Sequence, residues 1–325
     1  MDKVYLGVDV GSISINFVLI NEDKQLLFQS YMKGMGDPVQ TVQNALRELS
    51  VFMADFPEKK ISGVCTTGSG RELIGLFLGA DLVKNEISAH ARSAVYLYPE
   101  VQTIIEIGGQ DSKVAILRDG MVVDFAMNLV CAAGTGSFLE SQARRLNMSI
   151  EDFGCIAMES ENPAAIAGRC TVFAESDMVH KQQIGIPQKD IIMGLCIALA
   201  RNYVGNVCRG KEFRSPCLFQ GGVSANLGMR KAFETILGYP VIVPEYNMVM
   251  GAYGAAILAM EAHPEETQFR GYEVRDLDIR SGGFTCQDCS NQCNIMGIWN
   301  GDRILKCSGG RCEKWRNTVF PVDKQ

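Results

Sequence analysis

Short apolar runs separated by polar turns organise the start of the chain. Val4–Val10 predicts a buried strand, Gly11–Ser14 predicts a turn, and Ile15–Ile20 predicts the returning strand. Gln25–Met32 would continue the same sheet. The pattern therefore opens with an antiparallel meander.

Helical spacing follows the meander. Asp37 followed by Pro38 is typical of an N-cap and first helical residue, so a helix should begin there. Ile61–Thr66 predicts another strand, and a further helix is expected from about Glu86 to Tyr98.

The opening pattern then returns about a hundred residues later. Thr103–Ile107 predicts a strand, Gly108–Ser112 a polar turn, and Val114–Leu117 the returning strand. Asp119 and Gly120 predict the next hairpin turn. Two such hairpins indicate an α/β fold that is duplicated, with halves that face each other.

An acidic residue closes the first strand of each hairpin. Asp9 precedes Gly11 by two residues, and Glu106 precedes Gly108 by two residues. Backbone N–H groups of such turns can hold phosphate while the acid positions Mg²⁺. Each motif alone is weak evidence for a phosphate-binding site, and the presence of both is far more specific evidence.

A cysteine precedes the next helical pattern. Leu139, Ala143 and Leu146 share one helical face, so Cys131 should lie just before a helix N-terminus. Free N–H groups there favour an anion, which could be a phosphate or the thiolate of Cys131 holding a metal cluster.

Several elements are expected in the remainder of the core. Thr171 would cap a helix that runs to about Gln183, and a long helix would span about Lys189 to Val207. Strands are expected at Cys217–Gln220 and at Val241–Val243. A last core helix, rich in glycine and alanine, would run from Met248 to Glu261.

Composition narrows the class of protein. The 325 residues carry a net charge of −6, which gives no reason to expect nucleic acid. No apolar run is long enough to span a membrane, and the first residues lack a signal-peptide pattern, so a cytoplasmic protein is expected. Twelve cysteines in such a protein favour metal or redox chemistry over disulfides.

Five of the cysteines lie in the last forty residues, at Cys286, Cys289, Cys293, Cys307 and Cys312. A structural Zn²⁺ held by Cys286, Cys289, Cys307 and Cys312 is one hypothesis. An iron–sulfur cluster that uses Cys293 as well or instead is another. A reduced, flexible tail without a metal is the third. The apolar surroundings of Cys65, Cys155, Cys196, Cys208 and Cys217 predict core residues.

The order of these motifs resembles the activators of 2-hydroxyacyl-CoA dehydratases, which group with the ATPase subunits of benzoyl-CoA reductases. The resemblance covers about residues 3 to 262. It rests on the following segments: Asp-Val-Gly-Ser from residue 9, Ile-Gly-Gly-Gln-Asp-Ser-Lys from 107, Cys-Ala-Ala-Gly-Thr-Gly from 131, Cys-Thr-Val-Phe-Ala-Glu-Ser from 170, and Gly-Gly-Val from 221.

This resemblance implies the actin/hexokinase/heat-shock ATPase fold, with ATP or ADP and Mg²⁺ between two halves. Catalytic roles would fall to Asp9, Glu106, Gln110 and Asp111. The nucleotide would be held by Gly11, Ser12, Ile13, Ser14, Ile15, Asn16, Gly108, Gly109, Gln110, Gly134, Gly136, Gly221, Gly222 and Gly251. Relatives often carry Lys at the position of Asn16, and many carry Asp at the position of Glu106.

The resemblance also implies a homodimer with one [4Fe–4S] cluster, held by Cys131 and Cys170 of each chain. Such a protein takes an electron from ferredoxin or flavodoxin and uses ATP to pass it to an iron–sulfur dehydratase or reductase. A sugar kinase of the same fold and an ATP-binding redox sensor are the alternatives.

The expected boundaries follow from these segments. Residues 1–100 would form the first ATPase half, completed by a helix at 247–262. Residues 101–246 would form the second half with the cluster ligands, and residues 264–325 a small cysteine-rich, metal-binding extension.

Overall fold

The structure is a computed structural model that describes residues 2–34, 36–128, 134–168, 170–301, 303–312 and 314–315. The chain divides into two compact units. Unit 1 comprises residues 1–93 and 251–325, and unit 2 comprises residues 94–250.

A five-stranded sheet forms the centre of unit 1. Its strands are β1 (Asp2–Val10), β2 (Ser14–Asn21), β3 (Leu26–Lys33), β4 (Lys59–Thr67) and β5 (Leu82–Val83). They lie in the order β3-β2-β1-β4-β5. The first three strands pair antiparallel, and β4 runs parallel to β1.

A four-stranded sheet in unit 2 repeats this topology. Its strands are β6 (Thr103–Ile107), β7 (Ser112–Arg118), β8 (Met121–Asn128) and β9 (Cys217–Gln220). They lie in the order β8-β7-β6-β9, with an antiparallel meander and a parallel fourth strand. The prediction of a duplicated α/β fold is confirmed.

Helices cover the two sheets. In the described residues they are α1 (Pro38–Ala54), α2 (Arg71–Leu78), α3 (Glu86–Leu97), α4 (Gly136–Arg145), α5 (Ile150–Ala157), α6 (Thr171–Gln183), α7 (Gln188–Asn202), α8 (Leu227–Leu237) and α9 (Met250–Glu261).

Local capping chemistry explains where several helices begin. The Asp37 side chain accepts a hydrogen bond from the Gln40 N–H at the start of α1, as predicted. The prediction for α6 was wrong by one residue, because Cys170 is the N-cap and Thr171 is the first helical residue.

Two other boundaries differ from the sequence prediction. Residues 241–243 form no strand, and the segment joins the sheet through a single bridge between Leu218 and Ile242. Pro240 and Pro244 flank this segment, and proline cannot donate to a strand ladder. The long helix expected to Val207 ends at Asn202 and continues as a π-helical turn, Tyr203–Val207.

The extension contains a three-stranded antiparallel sheet that the sequence analysis did not predict. Its strands are β10 (Ile279–Thr285), β11 (Asn294–Asn300) and β12 (Arg303–Gly309). The segment that precedes it is anchored to α1, where Gln43 Nε2 donates to the Leu277 carbonyl at 2.9 Å and Arg47 donates to the Arg275 carbonyl at 2.8 Å.

The cysteines expected in the core are buried with one exception. Cys65, Cys196, Cys208 and Cys217 are buried, and burial raises the pKa of each thiol. Cys155 is exposed, so its predicted core position was wrong.

Among the residues that the structure describes, no helix has both the length and the apolar character needed to cross a membrane.

Helix α9 packs against its neighbours through backbone contacts that only glycine permits. A Cβ atom on Gly254 would lie 1.8 Å from the carbonyl oxygen of Ala89. A Cβ atom on Gly7, in β1, would lie 1.9 Å from the carbonyl oxygen of Ala252. Helices α3 and α9 and strand β1 therefore approach at backbone contact.

Replacing Gly254 should measurably destabilise unit 1. Because the added methyl meets rigid backbone, we expect Gly254→Ala to lower the free energy of unfolding by about 3 kcal/mol. Urea unfolding monitored by circular dichroism measures the change. Gly205→Ala is the matched control, since its Cβ would meet nothing within 4 Å. Equal midpoints for the two variants would contradict the close packing of α9.

Candidate functional site

The β1–β2 turn in unit 1 is held in place by its own backbone and by two neighbouring segments. The Gly11 N–H donates to the Ser14 carbonyl at 2.9 Å, and the Gly34 N–H donates to the Ile13 carbonyl at 2.7 Å. The Gly70 N–H donates to the Val10 carbonyl at 2.9 Å. Ser12 remains exposed at the tip, so a rigid turn presents backbone N–H groups and a hydroxyl to solvent.

The Asp9 carboxylate lies against two glycines. A Cβ atom on Gly68 would lie 2.6 Å from Asp9 Oδ1, and one on Gly251 would lie 2.2 Å from Asp9 Oδ2. Gly68 follows β4, which runs parallel to β1, and has a φ angle of +90°. The acid therefore occupies space that any side chain at these two positions would fill.

Unit 2 repeats this arrangement around Glu106. A Cβ atom on Gly221 would lie 2.7 Å from Glu106 Oε1 and 2.6 Å from the Ile107 carbonyl oxygen. Gly221 follows β9, which runs parallel to β6, and has a φ angle of +87°. Glu106 is thus the structural equivalent of Asp9, and Gly221 is the equivalent of Gly68.

A buried lysine joins two of the predicted acids in unit 2. Lys113 Nζ lies 2.9 Å from Glu106 Oε2 and 2.9 Å from Asp111 Oδ2. Burial raises the pKa of Glu106 above the usual value of a glutamate, while the positive charge of Lys113 acts in the opposite direction. The positive charge of Lys113 therefore offsets the repulsion between these two neighbouring carboxylates.

Lys113 and Gly68 were not among the residues proposed from sequence. Lys113 lies opposite Glu106 across the hairpin, as Asn16 lies opposite Asp9. A signal was present, since each of these residues follows its acid by seven positions.

The β6–β7 turn is closed by Asp111. The Gly108 N–H donates to the Asp111 carbonyl at 3.0 Å, and a Cβ atom on Gly108 would lie 2.9 Å from Asp111 Oδ1. Gln110 is exposed at the tip beside Gly109. Gly222, next to Gly221, is exposed and begins a 3₁₀ turn, Gly222–Ala225.

Two buried hydroxyl groups beside these turns have no hydrogen-bond partner within the described part of the chain. They are Thr67 Oγ1, at the end of β4, and Ser112 Oγ, at the start of β7. A buried hydroxyl without a partner is costly unless a ligand or water completes it. Carboxylates and hydroxyls around phosphate-binding turns are the oxygen donors that Mg²⁺ and its water shell require, so these residues fit a magnesium–nucleotide complex.

The N-terminus of α4 is bound to the β6–β7 turn. The Gly136 N–H donates to the Gly108 carbonyl at 2.9 Å, and the Ser137 N–H donates to the Gly109 carbonyl at 2.8 Å. The expectation that these N–H groups are free for an anion was therefore wrong. Cys131, which precedes α4, lies outside the described residues.

Cys170 lies at the start of α6. It is half-buried and forms the N-cap, and no side chain caps this helix by a hydrogen bond. The position fits a ligand of a metal cluster.

Asn202, in α7, lies close to Gly134 and Gly168. Its Nδ2 atom donates to the Gly168 carbonyl at 2.9 Å, two residues before Cys170. Its Oδ1 atom would lie 3.6 Å from a Cβ atom on Gly134.

A family model described as the BadF/BadG/BcrA/BcrD ATPase family matches residues 6–259. The activator of lactoyl-CoA dehydratase of Anaerotignum propionicum is 34% identical over 261 residues, which are 79% of this chain and 97% of that protein. The (R)-2-hydroxyglutaryl-CoA dehydratase activating ATPase of Acidaminococcus fermentans is 33% identical over 258 residues, which are 78% of this chain and 96% of that protein.

A solved structure supports the fold. The activator of the 2-hydroxyisocaproyl-CoA dehydratase from Clostridium difficile, determined with bound ADPNP, matches with a TM-score of 0.74 and 32% identity. The match covers 81% of this chain and 96% of that one. The fold is therefore that of the actin and hexokinase-like ATPases.

Displacing the Asp9 carboxylate should weaken nucleotide binding without unfolding unit 1. In Gly251→Ala the new methyl would meet the flexible end of Asp9, which can move aside. We expect the affinity for ADP with Mg²⁺ to fall at least about tenfold, equal to about 1.4 kcal/mol. Calorimetric titration measures the affinity, and thermal unfolding verifies the fold. Gly205→Ala should change neither, and unchanged affinity in Gly251→Ala would contradict the placement of Asp9 at the nucleotide.

Proposed function

The chain belongs to the BadF/BadG/BcrA/BcrD ATPase family, and from this premise we propose that it is an ATP-dependent activator that transfers single electrons to an iron–sulfur partner enzyme. The partner would be a 2-hydroxyacyl-CoA dehydratase or a related reductase, because relatives are named as activators of such dehydratases. Ferredoxin or flavodoxin would supply the electron.

One observation carries this proposal, namely the pair of hydrogen bonds that joins the β6–β7 turn to α4. The carbonyls of Gly108 and Gly109 accept from the first two N–H groups of the helix that follows Cys131. A change in the turn when the γ-phosphate is cleaved would therefore move the start of α4. A sugar kinase has no need for a link from a phosphate-binding turn to a cysteine motif.

The two acidic turns would bind and hydrolyse ATP. Asp9 and Asp111 would position Mg²⁺ through its water shell, and Glu106 would orient or deprotonate the attacking water, beside the exposed Gln110. Ser12–Asn16 and Gly108–Gln110 would hold the phosphates through backbone N–H groups. Gly221, Gly222 and Gly251 would border the adenosine.

The cysteine motifs would hold a [4Fe–4S] cluster, which supplies a one-electron redox centre when it is bound. Such a cluster takes four thiolates, and Cys131 and Cys170 provide two per chain, so the proposal requires a homodimer. Support comes from the surface next to Cys170, where Val172 and Phe173 are 66% and 63% exposed. Apolar side chains at that exposure are typical of an interface.

The buried Glu106–Lys113 pair predicts an unusual pH dependence of ATP hydrolysis. Glu106 must be ionised to act on water, so the acid limb of kcat should lie above the usual pKa of a glutamate, 4.5. Lys113→Met removes the charge that lowers the pKa of Glu106, and the limb should therefore move to higher pH. The pH profile of kcat measures this shift. The exposed Lys231→Met variant should keep the wild-type profile, and an unmoved limb in Lys113→Met would contradict the assigned role of Glu106.

The iron content tests the proposed function directly. One four-iron cluster shared by two chains gives about two irons per chain after anaerobic purification. We expect Cys170→Ser to lose this iron and the ATP-dependent electron transfer to a dehydratase component, because one ligand is removed from each chain. Metal analysis and electron paramagnetic resonance of the reduced protein measure the loss.

Cys155→Ser is the matched control, since Cys155 is also in unit 2 and is exposed. It should retain iron and activity. Iron-free protein from anaerobic cells, with ATP turnover stimulated by a sugar, would instead establish the kinase alternative.

A further inference from the structure

The five cysteines of the cysteine-rich extension lie in different parts of its small sheet. Cys286, Cys289 and Cys293 lie in the connection between β10 and β11, and Cys312 follows β12. In the sheet, Thr285 pairs with Asn294, and Ile295 pairs with Gly309. The connection and the segment after β12 therefore emerge at the same end of the sheet.

Cys307 differs from these four because it lies inside a paired strand. It is in β12, opposite Gly297, and is fully buried against Ile295. Cys286 is also buried, but it lies in the connection that emerges at the end of the sheet. Position in the strand, rather than burial, therefore separates Cys307 from the other four.

Contacts join the connection to the segment after β12. A Cβ atom on Gly310 would lie 3.9 Å from Cys293 Cβ and 3.9 Å from the Cys312 carbonyl oxygen. The indole N–H of Trp315 donates to Cys286 Sγ at 3.3 Å. The connection is itself closed by the Cys286 N–H, which donates to the Cys293 carbonyl at 2.8 Å. Three of the four cysteines thus lie in one contact network.

We propose that Cys286, Cys289, Cys293 and Cys312 bind one structural Zn²⁺ ion at this end of the sheet. Four thiolates complete the closed tetrahedral shell that structural zinc prefers, and the first two are separated by the two residues usual in such sites. Among the described residues no three His, Cys, Asp or Glu side chains are already arranged around a point, so binding requires the thiols to turn inward. Cys289 and Cys312 are exposed, so they can turn without loss of core packing.

Neighbouring groups fit the charge of such a site. Four thiolates and Zn²⁺ carry a net charge of about −2, which favours nearby positive donors. The Lys314 ammonium pairs with Asp288, which lies between Cys286 and Cys289 in sequence, and the Trp315 N–H already donates to Cys286 Sγ. Exposure of two of the thiols favours redox-inactive zinc over an iron–sulfur cluster, which would be open to solvent there.

This site lies beyond residues 6–259, the segment that the family model matches, and does not depend on the proposed activator function. Its expected role is to hold the β10–β11 connection and the segment after β12 together. Without the metal a small core holds these two segments, and its buried residues are Cys286, Ile295 and Cys307.

Metal analysis of the full chain, purified anaerobically with zinc available, tests the proposal. We expect about one zinc per chain in the wild type and near-complete loss in Cys289→Ser, in which an exposed side chain is changed. Cys307→Ala and Cys155→Ser should keep their zinc. The iron held through Cys170 should be unchanged in Cys289→Ser, so failure of this proposal is distinguishable from failure of the proposed function.

A second measurement uses the unmodified protein and avoids variants that fail to fold. Thiol alkylation is followed residue by residue by mass spectrometry, with and without a zinc chelator. Chelation should raise labelling of the four proposed ligands at least about tenfold and leave Cys307 unchanged, since a bound thiolate is shielded by its metal. Absence of zinc, zinc that survives Cys289→Ser, or about four additional irons per chain that depend on Cys289 would each overturn the zinc assignment.

Discussion

The structure depends on a steric constraint that is repeated in both halves, namely a carboxylate that fills the space beside a glycine on the neighbouring parallel strand. Gly68 and Gly221 both have φ near +90°, and a methyl group on either would overlap the acid and the backbone of the strand alongside. In each half the acid therefore lies at the end of the sheet, beside a turn whose backbone N–H groups can hold an anion.

The sequence predicted those parts of the fold that local patterns specify. Alternating apolar runs identified both meanders, and the spacing from acid to glycine identified Asp9 and Glu106 as equivalents. Lys113 carried a signal in the shared spacing of seven residues from its acid, but its ion pair with Glu106 forms only once β6 and β7 have paired. The role of Gly68 could not be predicted, because it depends on the parallel pairing of β1 with β4, which lie far apart in sequence. The small C-terminal sheet was missed because its first strand contains Gly282 and Gly283 and has few buried side chains, so the alternation that identifies a strand is absent.

The start of α4 illustrates how tertiary contacts change the meaning of a local signal. A glycine-rich segment before a helix predicts free N–H groups and hence an anion site. Here the first two N–H groups are satisfied by the carbonyls of Gly108 and Gly109, and Gly136 allows the approach because its Cβ would lie 3.1 Å from the Gly108 oxygen. The helix dipole consequently stabilises the β6–β7 turn, and the start of α4 is bound to that turn. By contrast, no side-chain hydrogen bond caps the start of α6 at Cys170.

The same reasoning assigns different roles to cysteines that the sequence presents alike. A thiol within a strand or helix of a packed layer loses hydration, its pKa rises, and it serves as an apolar side chain, as Cys196 and Cys307 do. A thiol at a helix N-cap or on an exposed loop keeps access to solvent and can turn toward a metal. Cys170 lies at a helix N-cap, and Cys289 and Cys312 are exposed. Spacing alone cannot separate the two classes, because Cys307 and Cys312 lie only five residues apart. Cys307 lies within β12, and Cys312 lies after its end. Pairing with β11 determines where β12 ends, and no short sequence motif encodes that pairing.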